Sequence, residues 1–280
     1  MTGGATAAQG SNFYAGFLFL PRDKRKALTS VYAYCRLIDD IVDTGHLTEA
    51  QARKMLEFWR EEVERMFAGH PTHSLSQDLA PHVRAFDLPK EPFLDLIKGC
   101  EMDLDRKRYE TFADLEKYLY GVAVTVGLLC VRIFGYERTA EEDIREYARN
   151  MGYAVQLTNI IRDVGSDLEM GRIYLPQAEL AEAGYTMDDL MHRRHTPAFH
   201  ALMRKQHDRA KTYYQRARNI LHPSDRPAML PAEVMGRIYE GILDEIKSLQ
   251  YHVFFHRVSL PLLRKIRIVI DAIRYSYGWL

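Results

Sequence analysis

Hydrophobic and polar positions follow the period of an α-helix along most of this chain. No stretch shows the strict alternation that a half-buried strand requires. Proline, glycine and capping residues divide the pattern into segments. We predict helices over about 21–43, 48–68, 76–85, 91–105, 111–134, 139–164, 187–192, 197–220, 232–256 and 261–277. The chain is therefore predicted to be all-α, with a less regular segment at 165–176.

Two of the predicted helices begin with a pattern typical of a capping box, in which threonine is followed three residues later by Gln or Glu. The pairs are Thr48 with Gln51 and Thr139 with Glu142. Gly45 is expected to end the first helix, because glycine readily adopts the left-handed conformation found at helix ends. The helix that begins near Thr139 is long enough to cross a whole domain.

Length and composition limit the class of protein. The chain has 280 residues, of which 47% are hydrophobic and 27% charged, as in a folded globular protein rather than a disordered one. No break requires a second domain, so we predict one domain over 1–280 with a frayed start at 1–10. The 38 basic residues balance 38 acidic ones, and the net charge gives no reason to expect a nucleic-acid partner.

Cysteine spacing and apolar runs bear on the compartment. Cys35, Cys100 and Cys130 lack the spacing of a zinc or redox motif and are expected to be core thiols in a reducing cytosol. The first nine residues lack the basic start and apolar stretch of a secretory signal. The longest uncharged run, 118–131, is shorter than the ~20 residues that cross a bilayer. We therefore expect a cytoplasmic protein that does not span a membrane.

Two acidic clusters, at 39–43 and 159–167, carry the main functional signal. Each places carboxylates four residues apart on one helical face within apolar surroundings. An unpaired carboxylate is costly to desolvate there, so a bound cation is the simplest compensation. Oxygen ligands without nearby His or Cys suit Mg²⁺, which also takes waters and substrate phosphates as ligands. Two such faces opposite each other would hold a metal-bridged diphosphate.

Arginines and amides accompany both clusters. Arg36 precedes the first cluster by three residues, and Arg162 and Arg172 lie in and after the second, where guanidinium groups can approach a diphosphate. Side chains spaced by three and then four residues drift only ~40° per four-residue step, so a row of them shares one helical face. That row is formed by Gln156, Asn159, Asp163 and Asp167.

A single acidic pair at helical spacing is more often a solvated surface or a simple ion-pair network than a metal site. Here both clusters interrupt apolar helices and both have arginines nearby, which favours a binding site. The apolar segment 118–128 fits a pocket for a long hydrocarbon, although core packing explains it almost as well. Within it Tyr120 and Val126 are candidate hydrocarbon contacts, and Phe13 is a third. The chain lacks a P-loop, a Rossmann glycine pattern and a nucleophile elbow.

Eight motifs are spread along the chain: Ser11-Asn12-Phe13-Tyr14, Phe19-Leu20-Pro21, Tyr32-Ala33-Tyr34-Cys35-Arg36, Asp39-Asp40-Ile41-Val42-Asp43, Asp103-Leu104-Asp105, Arg108-Tyr109, 156–167 and Arg172-Ile173-Tyr174-Leu175-Pro176. Together they resemble the motifs of the squalene and phytoene synthase family, and the resemblance covers nearly the whole chain. The resemblance implies a single-domain isoprenoid synthase fold, in which helices surround a central active-site cavity. It also implies head-to-head condensation of two prenyl diphosphates.

The resemblance assigns roles to individual residues. Two or three Mg²⁺ ions would be held by Asp39, Asp43, Asn159, Asp163 and Asp167. Catalytic roles would fall to Asp39, Asp43, Asp163, Asp167 and Tyr174. The diphosphate contacts or their supports would be Arg36, Asp40, Gln156, Asn159, Arg162 and Arg172.

The sequences 131–135 and 257–261 look like those of bacterial presqualene diphosphate synthases of hopanoid pathways. We therefore predict condensation of two farnesyl diphosphates to presqualene diphosphate without NADPH, with enzymes of squalene formation acting downstream. Alternatives are a phytoene synthase that uses geranylgeranyl diphosphate, a squalene or dehydrosqualene synthase, and a non-catalytic helical assembly factor. Peripheral contact with the inner membrane is a further hypothesis, since the hydrocarbon product is insoluble, although no strongly basic amphipathic helix stands out.

Overall fold

The computed structural model describes residues 19–43, 46–105 and 108–278, and this part of the chain contains helices and no β-strand. The predicted all-α class is confirmed. The α-helices are α1 Arg22–Asp43, α2 Glu49–Phe67, α3 Ser74–Ala85, α4 Glu91–Asp105, α5 Phe112–Leu119, α6 Thr125–Phe134, α7 Glu141–Glu169, α8 Gln177–Glu182, α9 Met187–Met191, α10 Pro197–Ile220, α11 Leu230–Ser248 and α12 Leu262–Ser276. The predicted single domain of 1–280 reaches outside the described residues and stays a prediction.

Helix α7 forms the centre of the molecule and packs against α10, α11, α6 and the segment before α6. Its buried positions recur along its length because it is surrounded by other helices, and the buried apolar side chains of the described residues form one connected core. α7 continues to Glu169, past the predicted end at 164, since Gly165 stays helical. This extension holds the end of the second acidic cluster on a rigid helix.

One other predicted boundary was wrong, and one short helix was missed. The helix predicted over 232–256 ends at Ser248, because Gln250 and Tyr251 adopt the left-handed conformation with φ of 53° and 59°. The short helix α8 was not predicted. Gly45, expected to end the first helix, lies outside the described residues.

The two predicted capping boxes differ in outcome. Thr48 and Gln51 form one, with both reciprocal hydrogen bonds present at the start of α2. At α7 the prediction was wrong, since Ala140 is the N-cap and makes no side-chain cap bond. Thr139 instead donates its hydroxyl to Asp225 at 2.7 Å. A contact with a residue far along the chain therefore replaces the local one.

The helix predicted over 111–134 is interrupted by a π-helical turn at Tyr120–Val124, between α5 and α6. Gly121 in this turn packs against Gly99 of α4, and a Cβ atom added to Gly121 would lie 2.5 Å from the Gly99 Cα. Among the described residues, Phe112–Phe134 is the one stretch long and apolar enough to cross a membrane, and 56% of its most apolar window is buried in the protein. Core helices of soluble proteins meet the same criterion.

Candidate active site

A cavity of about 320 Å³ lies between α1, α4, α6, α7 and α11. One end is polar and open to solvent, since Arg36 and Asp39 there have half-exposed side chains. The other end is apolar and closed by Phe134 and Tyr147, which are 4% and 2% exposed. The polar end is completed by Gln156 and Asn159 of α7. The helices thus surround a central cavity, as predicted. Its mouth is charged and its interior is apolar.

The first acidic cluster occupies the last turns of α1. Arg36 pairs with Asp39 at 3.3 Å and with Asp40 at 2.8 Å, which is the contact expected for residues three and four positions apart on one helix. Asp43, one turn beyond Asp39, accepts a hydrogen bond of 2.5 Å from Arg172. Arg172 also donates to the Val42 carbonyl at 3.0 Å, so it joins the segment after α7 to the end of α1.

The second cluster lies on the facing wall. Asn159 donates its Nδ2 to Gln156 Oε1 at 3.2 Å, and its Oδ1 is buried without a hydrogen-bond partner. One turn further along α7, Asp163 accepts hydrogen bonds from Arg162 and from Arg257. Asp39 and Asn159 line the same cavity, so the two clusters face each other as the sequence suggested.

The carboxylates of both clusters disfavour one another's charge. Burial, followed by the charge of Asp43, raises the pKa of Asp39 to about 7. Burial, followed by the charge of Asp163, raises the pKa of Asp167 to about 8, and Asp103 and Asp43 contribute in the same direction. Carboxylates on α1, α4 and α7 therefore act on each other across the site. A cation bound between them would remove this repulsion.

The donor atoms fit Mg²⁺. Among the described residues no group of three or more His, Cys, Asp or Glu side chains is gathered closely enough to form a ready-made metal cage. Mg²⁺ does not need one, because it commonly takes one or two carboxylates together with waters and substrate phosphates. The orphaned oxygen of Asn159 and the clustered carboxylates supply such oxygen ligands. The ligand set Asp39, Asp43, Asn159, Asp163 and Asp167 stays a prediction.

Asp103 is a site residue absent from the predicted set. It lies on α4, is 7% exposed, and accepts hydrogen bonds from Tyr174 at 2.8 Å and Tyr118 at 3.1 Å. Arg172 Nη1 lies 4.0 Å from Asp103 Oδ2, the oxygen that also accepts from Tyr118. Burial raises the pKa of Asp103 to about 6 despite the opposing effects of Arg172 and Tyr174. The Asp103-Leu104-Asp105 motif was visible in the sequence, but nothing local indicated which carboxylate points inward.

Some residues that were predicted to belong to the site do not line the cavity. Tyr174 is buried and does not line the cavity. Its ring lies 4.9 Å from that of Tyr118 and its hydroxyl donates to Asp103, so it supports Asp103, and a direct catalytic role stays a prediction. Tyr120 does not line the cavity whereas Tyr118 and Val126 do. The π-helical turn begins at Tyr120, and the helical register assumed from the sequence ends there. Phe13 lies outside the described residues.

Arg162 was predicted to contact diphosphate or to support a group that does, and it is 6% exposed and pairs with its neighbour Asp163 at 2.5 Å. The outer arginine at Asp163 is Arg257, whose Nε lies 3.1 Å from Oδ1. Its segment is held by Gly165, where an added Cβ would lie 2.1 Å from the Phe254 carbonyl oxygen. Sequence reasoning missed Arg257, because no pattern links positions 94 residues apart.

All three cysteines contribute to the cavity wall. Cys100 and Cys130 are buried and Cys35 is half-buried, and none forms a disulfide. Burial raises the pKa of each thiol well above its usual range, so the thiols are neutral. They add polarisable apolar surface to the pocket.

Known proteins are similar to this chain in both sequence and fold. The family model for squalene/phytoene synthase matches residues 6–264. The phytoene synthase of Arthrospira platensis is 38% identical over 276 residues, covering 93% of this chain and 87% of that protein. The 15-cis-phytoene synthase of a Synechocystis strain is 36% identical over 270 residues, covering 93% of this chain and 80% of that protein.

Solved structures of synthases have the same fold as this chain. The crystal structure of a dehydrosqualene synthase in complex with a ligand has a TM-score of 0.87 and 26% identity, and the match covers 98% of this chain and 95% of that one. Squalene synthase HpnC from Alicyclobacillus acidocaldarius has a TM-score of 0.76 and 33% identity over 86% of this chain and 89% of that one. Sequence, fold and the paired acidic clusters lead to one conclusion: this chain belongs to the squalene/phytoene synthase family of prenyl-transferring enzymes.

Proposed function

We propose that this enzyme condenses two farnesyl diphosphates head to head into presqualene diphosphate, in a Mg²⁺-dependent reaction that releases diphosphate. The observation that carries the proposal is the cavity, which has Asp39 facing Gln156 and Asn159 at its mouth and an apolar interior. Diphosphate bound at the mouth would leave its hydrocarbon chain directed inward. Members of the family are generally dependent on a divalent metal.

Asp39 and Asn159 would hold Mg²⁺, which when bound would supply the positive charge that neutralises the departing diphosphate. The C–O bond of the first substrate breaks and the diphosphate leaves with the electron pair. The double bond of the second substrate attacks the allylic cation, and loss of a proton closes the cyclopropane ring. Arg36, at the mouth, and Arg172, which binds Asp43, would bind phosphate oxygens, and the departing diphosphate would accept the proton. The apolar wall excludes water that would otherwise quench the cation.

The depth of the cavity supports the fifteen-carbon substrate. Along α7, Tyr147 lies twelve residues before Asn159, which corresponds to ~18 Å of helix. An extended chain advances about 3.5 Å per three bonds, so a farnesyl main chain spans ~13 Å and a geranylgeranyl chain ~18 Å. The diphosphate and its metal ions occupy the first part of this depth. The longer chain would therefore meet the rings of Tyr147 and Phe134.

Phytoene formation from geranylgeranyl diphosphate is the second candidate, supported by the names of the curated relatives. The experiment that separates the two is product analysis of purified protein with Mg²⁺ and either substrate, without and then with NADPH. We expect presqualene diphosphate from the fifteen-carbon substrate, with NADPH making no difference. Squalene appearing with NADPH would indicate a complete squalene synthase. Phytoene as the main product would contradict the proposal.

The depth argument makes a prediction about Tyr147. Truncation by Tyr147→Ala removes the ring at the closed end and should raise kcat/KM for geranylgeranyl diphosphate at least about tenfold relative to farnesyl diphosphate. Tyr147→Phe is the matched control, since it keeps the ring and removes a hydroxyl that has no hydrogen-bond partner. Competition between the two substrates measures the ratio. An unchanged ratio in Tyr147→Ala would show that another residue sets chain length.

A further inference from the structure

The C-terminal helix α12 has an apolar stripe that faces solvent. Leu262, Leu263, Ile266 and Ile270 are 72%, 82%, 48% and 45% exposed. At 100° per residue these four side chains lie within about 100° of arc, and Tyr277, 52% exposed, continues the same line. The stripe is thus a continuous ridge along the outside of the helix.

The opposite face of α12 packs on α11, which forms part of the cavity wall. Ile268 from α12 approaches Gly241 so closely that an added Cβ would lie 3.1 Å from its Cδ1. Ala272 and Ser276 are buried on this same side. The helix is therefore fixed on the protein by one face, and its exposed stripe is a stable feature of the surface.

Exposed apolar side chains are concentrated in this region. Of the thirteen large hydrophobic residues exposed within 19–43, 46–105 and 108–278, six lie in 255–277. The sixth is Phe255, which is 72% exposed. Contiguous apolar patches are uncommon on soluble monomers and mark surfaces that bind something.

The charge of the region identifies what it binds. Residues 256–278 contain five basic side chains and one acidic, a net charge of +4, although the whole chain is balanced. On the helix Arg267 and Arg274 are exposed and lie about 20–40° beyond the edge of the stripe. An apolar face bordered by arginines matches a bilayer surface of anionic lipid, where apolar side chains enter the acyl boundary and cations meet headgroups. Two copies of this surface would place like charges together.

The stripe also lies close to the active site in the chain. Phe254 packs its backbone against Gly165 of α7, and Arg257 reaches Asp163. Phe255 lies between Phe254 and Arg257 in the chain and is 72% exposed. A flat partner lying along 255–277 would therefore come near the mouth through which amphiphilic substrate and product pass.

We propose that Phe255 and the exposed stripe of α12 form a docking surface for an anionic lipid membrane. The sequence pattern alone did not single out a basic amphipathic helix, because the stripe becomes evident only when the buried face is known. This inference concerns where the enzyme works, and it holds for either substrate length.

The test is co-sedimentation of the full chain with vesicles of phosphatidylcholine, alone or mixed with phosphatidylglycerol. We expect binding to the mixed vesicles, weaker binding to the neutral ones, and release by high salt. The double variant Leu263→Gln/Ile266→Gln should weaken binding at least about tenfold. Arg267→Glu/Arg274→Glu should weaken it by at least as much, since each basic residue near an anionic surface contributes roughly fivefold.

The matched control is Met55→Gln/Met191→Gln, which removes exposed apolar side chains elsewhere, and it should bind as the wild type does. Turnover of soluble substrate without vesicles should be unchanged in all three double variants, so loss of docking is separable from loss of the proposed reaction. Absence of wild-type binding to mixed vesicles would overturn the proposal. A wild-type dimer that becomes monomeric in Leu263→Gln/Ile266→Gln would also overturn it, because the stripe would then be a self-interface.

Discussion

Asp103 shows how one side chain connects the parts of this active site. It is buried on α4, and it accepts hydrogen bonds from the hydroxyls of Tyr118 and Tyr174. Arg172 lies 4.0 Å away and binds Asp43 at 2.5 Å. Asp103 itself touches no predicted metal ligand. It sets the position of Arg172, which in turn binds the predicted ligand Asp43. Its role is to hold Arg172 and Tyr174 in place.

Asp103→Asn keeps the shape of the side chain and removes its charge. We expect kcat/KM to fall at least about tenfold, because Arg172, which is proposed to bind diphosphate, loses a buried counter-charge 4.0 Å away. Asp105→Asn is the matched control, since Asp105 lies two residues further on α4 and pairs with the half-exposed Arg53. Steady-state kinetics at saturating Mg²⁺ measure both. Equal activity in the two variants would exclude a positioning role for Asp103.

At the scale of elements, buried carboxylates fix loops to helices outside the active site. Glu62 of α2 is fully buried and accepts hydrogen bonds from both the N–H and the hydroxyl of Thr72 and from the N–H of His73, each at 2.7 Å. Arg65 donates a further bond at 2.8 Å. The side chain thereby anchors the loop between α2 and α3. Burial alone would raise the pKa of Glu62, but these hydrogen bonds outweigh it and hold the pKa at about 2.

The low pKa of Glu62 predicts a pH dependence of stability. The ionised form is favoured in the folded state, so its contribution is complete above the usual glutamate pKa of about 4.5 and is lost as pH falls toward 2. Glu62→Gln should remove about 3 kcal/mol of the free energy of unfolding at pH 7, and the difference from wild type should shrink in acid. Urea unfolding between pH 7 and pH 3 measures this difference.

Glu61→Gln is the control, because Glu61 is an exposed neighbour that pairs with the same Arg65 at 3.3 Å. Its stability should follow that of the wild type at every pH. If Glu62→Gln were as stable as the wild type at pH 7, the carboxylate would not anchor the loop.

At the scale of the whole molecule, the active site is assembled at the cost of electrostatic repulsion. The ends of α1, α4 and α7 bring carboxylates together, and burial, followed by their mutual repulsion, raises the pKa values of Asp39 and Asp167. Proteins commonly accept such destabilisation where a ligand will relieve it. The same cluster that weakens the unliganded fold would provide the driving force for the proposed cation binding.

This balance predicts opposite effects of one substitution. Asp39→Asn should raise the melting temperature without Mg²⁺, since it removes a charge that neighbouring carboxylates repel, and should reduce the further rise caused by Mg²⁺ with inorganic diphosphate. In the wild type, ligand at a hundred times Kd stabilises by about 2.7 kcal/mol, a rise of several degrees. Thermal unfolding with and without the two ligands measures both effects. Asp188→Asn, in an exposed helix turn, should change neither, and an equal Mg²⁺ response in Asp39→Asn would contradict the metal assignment.

The sequence by itself determined the helical class, most helix positions, the two acidic clusters and the family. These features rest on local spacing: a period of 3.6 residues forms a helix and directs side chains four residues apart to one face, whatever surrounds them. Asp39 and Asn159 were identified in this way, and both line the cavity. The predictions of a cap at Thr139 and of an inward-facing Tyr120 were wrong. Thr139 bonds to the distant Asp225 instead, and a π-helical turn changes the helical geometry at Tyr120.

Only the tertiary structure decided which side chains meet across the chain. The choice of Asp103, the pairing of Arg257 with Asp163 and the closed end at Tyr147 depend on how helices far apart in sequence pack. The exposed stripe of α12 likewise has meaning only once its opposite face is known to be covered by α11. Burial and long-range contact depend on packing rather than on sequence spacing. The sequence therefore specified the groups that carry the chemistry, and the fold specified their partners.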